Sequence, residues 1–137
     1  MKRTNAAGRN RAGFSLVELV VVVLIMGILA AVAAPRMFDK MQDAKDNSTK
    51  QSLAVVRSAI EVYKVENDDY PPGTDLGTEL KKFMKGSFPK CDAIDGNNTV
   101  ALSTDDPVVP DSSKTASWLY NKTTGEIRIN DDDYKEW

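Results

Sequence analysis

The sequence predicts an α+β fold: a long N-terminal helical spine, membrane-spanning in its first half, packed against a small antiparallel β-sheet head. Three observations predict it. Residues 14–34 form an apolar run of 21 residues whose only polar side chains are Ser15 and Glu18. After Pro35 the apolar residues thin to a stripe at helical spacing, Met37, Met41, Leu53, Val56, Ala59, Ile60 and Tyr63, set among Asp, Lys, Gln and Ser. Near the C-terminus two short runs, Ser117-Trp118-Leu119-Tyr120 and Glu126-Ile127-Arg128-Ile129, flank a polar loop ending in Gly125 and read as a hairpin.

As a helix rising about 1.5 Å per residue, the apolar run is about 31 Å long, which matches the hydrocarbon thickness of a bilayer. Gly27 and Pro35 weaken it, the first through backbone entropy and the second by removing a hydrogen bond, and they bound the expected place for a kink. The amphipathic helix continues to about Glu66, with a weak patch at Asp46-Asn47-Ser48-Thr49, four poor helix formers in succession. Up to Leu53 its polar surface suits solvent or neighbouring subunits; from Leu53 onward the stripe is dense enough to bury against a sheet. Asn67-Asp68-Asp69-Tyr70-Pro71-Pro72-Gly73 ends it, because a double proline cannot continue a helix.

Thr78 is the candidate N-cap of a short helix carrying Leu80, Phe83 and Met84 and stopped by Gly86. Residues 89–117 read mostly as loop, with Thr99-Val100-Ala101-Leu102 as the one strand candidate among them. In the hairpin, alternation places Ile127 and Ile129 on one face and Arg128 on the other, so one side of the sheet can cover the stripe that ends at Tyr63.

Composition excludes several function classes. At 137 residues the chain has room for one small domain beside the apolar helix. There is no histidine, no nucleotide-binding glycine loop and no nucleophile triad, so enzymatic function is not predicted. The single cysteine, Cys91, allows no intrachain disulfide and reads as an ordinary free thiol in a loop. The first 13 residues carry Lys2, Arg3, Arg9 and Arg11 and no acid, so their removal takes the formal charge from −2 to −6. An acidic chain with no basic stripe does not suggest nucleic acid as a main partner.

Glu18 is the anomaly, since an ionised carboxylate on an apolar helix costs about 2 to 3 kcal/mol near the bilayer centre. A short basic leader ending in Gly13, then Phe14, Ser15, two apolar residues, Glu18 and a long apolar helix resembles the type III signal of type IV pilins and pseudopilins. That resemblance implies a pilin-like fold and a division of the chain into three parts: a leader, residues 1–13, removed by prepilin peptidase; a transmembrane and filament-core helix, residues 14–35; and a periplasmic or extracellular α+β domain, residues 36–137. It also implies cleavage between Gly13 and Phe14, N-methylation of Phe14, a role for Glu18 in assembly register, and a segment bounded by Gly27 and Pro35 that loses helicity as subunits pack.

The Tyr-Pro after the long helix and the Trp-Leu-Tyr-Asn…Gly-Glu-Ile hairpin resemble G-type major pseudopilins of type II secretion, whose Asp-Pro-Trp-Gly type motif is echoed here only in part, by Asp106-Pro107-Val108. The resemblance implies a subunit polymerising into a secretion pseudopilus. Its partners would be further copies of itself, minor pilin-like subunits, prepilin peptidase, an inner-membrane assembly platform and membrane lipid. It implies a bacterial inner-membrane, single-pass topology with the N-terminus cytoplasmic and the C-terminal domain periplasmic; the charges alone, four before the apolar run against Arg36, Lys40 and Lys45 after it, do not decide this. It further suggests calcium as a ligand of the acidic loop, with Asp105, Asp106, Asp111 and Ser113 as candidate oxygen donors.

Three alternatives stand beside this reading. A type IV pilus subunit shares the N-terminal signal. An ordinary secretory protein, cut after Ala31-Val32-Ala33 and released as a soluble binding protein from Ala34, explains the apolar run but not Glu18 within it. An uncut single-pass anchor explains neither Glu18 nor Gly13-Phe14.

Overall fold

The computed structural model describes residues 13–137, so Lys2, Arg3, Arg9, Arg11 and the rest of the leader before Gly13 lie outside the described residues. The order of elements is α1 (Leu16–Asn67), α2 (Leu76–Glu79), β1 (Val100–Leu102), β2 (Trp118–Tyr120), β3 (Ile127–Ile129) and a 3-10 turn (Asp132–Tyr134). The chain divides into two units, Met1–Asp39 and Lys40–Trp137.

In the second unit, which we call the head, the stripe on α1 is buried as its spacing predicts: Leu53, Val56 and the adjacent pair Ala59 and Ile60 fall on one helix face and are all buried. They form one core with Leu76, Leu80, Phe88, Cys91, Trp118, Tyr120, Ile127 and Ile129, and Tyr63 packs edge-on against Phe83 at its margin, with ring centroids 5.6 Å apart. The hairpin forms in the expected register, Trp118 opposite Ile129 and Tyr120 opposite Ile127, and Gly125 takes the left-handed conformation that its turn requires.

The sheet has the order β1-β2-β3 and is mixed rather than wholly antiparallel, because β1 runs parallel to β2. A parallel pair cannot be joined by a tight turn, and residues 103–117 make the crossover. Strand alternation turns Leu119, Glu126, Arg128 and Asn130 away from the core face. Leu119 is nonetheless fully buried, and so is Val108 of the crossover, whose amide donates to Glu126 Oε2 at 2.7 Å. The crossover thus covers the second face of the sheet, which explains why all three residues of β2 are inaccessible.

Two sequence expectations are corrected. Asp75, not Thr78, caps the short helix: its carboxylate accepts from the Thr78 amide at 3.2 Å, and that helix ends before Phe83 and Met84. The Thr78 hydroxyl, which donates to the same carboxylate at 2.7 Å, and then the amide hold the Asp75 carboxyl below its ordinary pKa. Glu79 explains the earlier start, since it gathers the amides of Gly73 at 2.9 Å and Thr74 at 3.1 Å and fixes the turn that leads into the helix.

The second correction concerns the weak patch in α1, which meets the head itself. Thr49 is fully buried and its Oγ1 accepts from the Ala93 amide at 2.9 Å, while Ser48 donates to Asp92 at 3.2 Å. The Tyr134 hydroxyl donates to Asp46 at 3.2 Å, so the C-terminal turn is fastened to the same stretch of helix. Trp137 completes that clasp: it packs on Tyr134 with centroids 4.6 Å apart, lies 4.0 Å beneath the Lys50 ammonium, and its carbonyl accepts from Arg57 at 2.7 Å. The same Arg57 guanidinium donates to Ile127 O at 3.2 Å, on the outer edge of β3.

Candidate functional site

Helical geometry begins at Leu16, two residues into the apolar run, and passes through Gly27 and Pro35 without interruption. Gly13 and Phe14 precede it outside any regular element, and Phe14 is 79% exposed. Every large apolar side chain described between Phe14 and Val32 is exposed, from 40% at Val22 upward. Soluble monomers rarely leave a contiguous apolar surface of that extent open to water. This is the one described helix long and apolar enough to cross a membrane, and none of its apolar window is buried. Glu18 lies in its first turn and is exposed, so its carboxylate is available to a partner outside the described chain.

The acidic loop is the second candidate. Asp111 does not reach outward: its Oδ1 accepts from the Ser113 amide at 2.9 Å and hydroxyl at 2.6 Å, and its Oδ2 lies 3.6 Å from the Lys114 ammonium. These hydrogen bonds, with the nearby ammonium, hold its carboxyl below the ordinary carboxylate pKa. Asp105 Oδ2 accepts from Ser103 Oγ at 3.2 Å, and Asp106 is exposed. Among the described residues no three acidic, histidine or cysteine side chains gather where they could hold a metal ion. The residues suggested for calcium therefore do not fit a preformed site.

Cys91 is a free thiol outside the helices and named strands, as expected, but it is fully buried in the core and bridged through its backbone to Asn97. Burial pushes its pKa from 9.0 up to about 11, so the reactive thiolate is scarce at neutral pH. Alkylation at pH 8 is expected to be about 100-fold slower in the folded protein than in denaturant, as thiol-modification kinetics will measure. Because the folded pKa is the higher one, the native state retains the proton longer, and this thiol's contribution makes stability fall as pH rises from 9.0 to about 11. No sequence signal separated this cysteine from an exposed one, since its burial depends on contacts far along the chain.

The N-terminal residues match a family model described as "Prokaryotic N-terminal methylation motif" over residues 8–34. The motif thus opens a chain whose long helix and small α+β head have the pilin-like arrangement that the sequence predicts. More particularly, the chain is similar to proteins named type II secretion system core protein G: 38% identical over 84 residues to that of Pseudomonas aeruginosa, covering 60% of this chain and 58% of the relative. Identity to the protein of that name from Vibrio cholerae is 35% over 71 residues, covering 52% and 48%, and to that of Escherichia coli K12 it is 31% over 67 residues, covering 49% and 46%. The chain thus spans about half the length of the curated relatives it matches. No solved structure matches the chain.

Proposed function

We propose that this chain is a structural, non-catalytic subunit that polymerises into the pseudopilus of a type II secretion system and helps drive protein export. The observation that carries the reading is the apolar stretch of α1, exposed along its length and opening on the methylation motif. An exposed apolar helix of that length has two stable environments, a bilayer before assembly and a bundle of like helices after it. The subunit would wait in the inner membrane as a single-pass protein with its N-terminus cytoplasmic and its head periplasmic. Prepilin peptidase would cut between Gly13 and Phe14 and leave a methylated Phe14 terminus. Further copies of the chain, minor pilin-like subunits and an assembly platform would then be its partners. Residues 27–35, helical in the lone chain, would loosen as subunits pack, because Gly27 and Pro35 already weaken the helix there.

An intact-mass measurement on membrane-extracted protein tests the reading. The expected mass is that of a chain beginning at Phe14 with one added methyl; a terminus at Met1 or Ala34 overturns it. Deletion of the gene then separates the two filament systems, since exported enzymes should accumulate in the periplasm while surface pili persist.

A further inference from the structure

The crossover of residues 103–117 carries the acidic side chains suggested for calcium, yet Asp111 and several carbonyls around it are already bonded to nitrogen. Asn130, projecting from the end of β3, accepts from the Asp111 amide at 2.7 Å through Oδ1. Its Nδ2 donates to three carbonyls of the same loop: Asp111 O at 3.1 Å, Lys114 O at 3.1 Å and Ala116 O at 2.9 Å. Two N–H bonds serve three acceptors, so one of them is shared. The Lys114 ammonium donates to Leu102 O at the end of β1 at 2.6 Å and faces Asp111 Oδ2 at 3.6 Å, which ties the start of the crossover to its far side. A backbone carbonyl and a carboxylate are hard oxygen ligands of the kind calcium takes, and here they converge on an ammonium.

We propose that Lys114 and Asn130 close this crossover in place of a metal ion, Lys114 supplying the positive charge and Asn130 gathering the carbonyls. Three carbonyls converge on one amide because the chain turns around the Asn130 side chain, much as it would turn around a bound ion. Glu126 and Asn121 complete the tether, Glu126 through the Val108 amide and Asn121 by donating to Asp105 O at 2.8 Å. The head then keeps its second sheet face covered without depending on the calcium concentration outside the membrane.

The test is thermal melting of the full chain in detergent, in a chelator and in about 10 mM calcium, well above the ~10⁻³ M range of weak extracellular sites. Wild type should melt at the same temperature in both, whereas a saturated structural site would raise the midpoint by on the order of 10 °C. Lys114→Met keeps the stem and removes the charge, and should lower the midpoint by about 5 °C and speed proteolytic cutting within residues 103–116 several-fold. Lys114→Arg keeps the charge and should behave as wild type. A calcium-dependent rise in the wild-type midpoint overturns the proposal. So does a Met variant as stable and protease-resistant as wild type, or an Arg variant no better than Met.

Discussion

Glu18→Ala is expected to be cut and inserted into the membrane normally and to enter filaments about 100-fold less than wild type. If the leader is removed as proposed, the amine of Phe14 would be a cation at the start of an apolar helix, and Glu18 is the one carboxylate within residues 14–34 that could meet it. In a bundle that excludes water the two attract strongly, and either left alone is costly. Pairing the Glu18 of one subunit with the Phe14 amine of another favours one axial offset over its neighbours. The pair can contribute little net stability and still choose the register, as a single buried polar residue does in a coiled coil. Glu18→Ala subunits should therefore enter filaments more readily beside wild-type subunits, which supply the missing partner. Shearing and sedimentation of assembled filaments, scored beside the mature mass, measures both effects. Homopolymers of the variant formed at wild-type yield would remove the register role and leave a carboxylate that only seeks the membrane surface.

Gly125→Ala should lower the midpoint of thermal unfolding of the head by on the order of 15 °C. Two effects add. The residue sits at φ +75°, where a side chain costs about 1–2 kcal/mol. A Cβ there would also come within 3.0 Å of three atoms of the Tyr70 ring, so the ring must leave. Tyr70 is held by Lys64, whose ammonium donates to its hydroxyl at 2.9 Å and lies 4.1 Å from its centroid, and its expulsion loosens the descent from α1. The total is about 3 kcal/mol. Tyr70→Ala in the same chain removes the obstacle, so the double variant should lose less stability than the two single variants predict together. Strict additivity in urea unfolding would show that the ring and the glycine do not meet.

The N-terminal site was legible because it is local. Gly13, Phe14 and Glu18 lie within six residues, and the apolar run after them needs no partner to be recognised. The hairpin was legible for the same reason: alternation and the glycine of its turn are short-range signals. The parallel pairing of β1 was not, because it depends on how residues 103–117 fold back, and a loop rich in Asp, Ser and Pro carries no periodicity. Asp75 was passed over for Thr78 although both are good caps, since the choice is made by Glu79 gripping the turn before it. Four poor helix formers at 46–49 looked like a weakness in α1. Three of them, Asp46, Ser48 and Thr49, are hydrogen-bonded to later parts of the head, and Thr49 is fully buried. The resemblance to G-type pseudopilins suggested calcium for the oxygen-rich crossover, whereas the ammonium that enters it, that of Lys114, comes from within the same loop.

Arg57 also settles what the sheet can do in company. If the chain is held in one membrane as proposed, its heads would meet at high local concentration, and a small sheet with an open side is a template for pairing with its neighbour's. On β3 the bonds Asn121 N to Glu126 O and Asn130 N to Ser117 O face β2, which leaves the groups of Ile127 and Ile129 facing outward. The Arg57 guanidinium takes the Ile127 carbonyl, and the C-terminal clasp holds that guanidinium in place. On the proposed reading, a crowd of such heads would find that carbonyl already taken, which hinders strand exchange on this side of the sheet and leaves growth to the apolar helices.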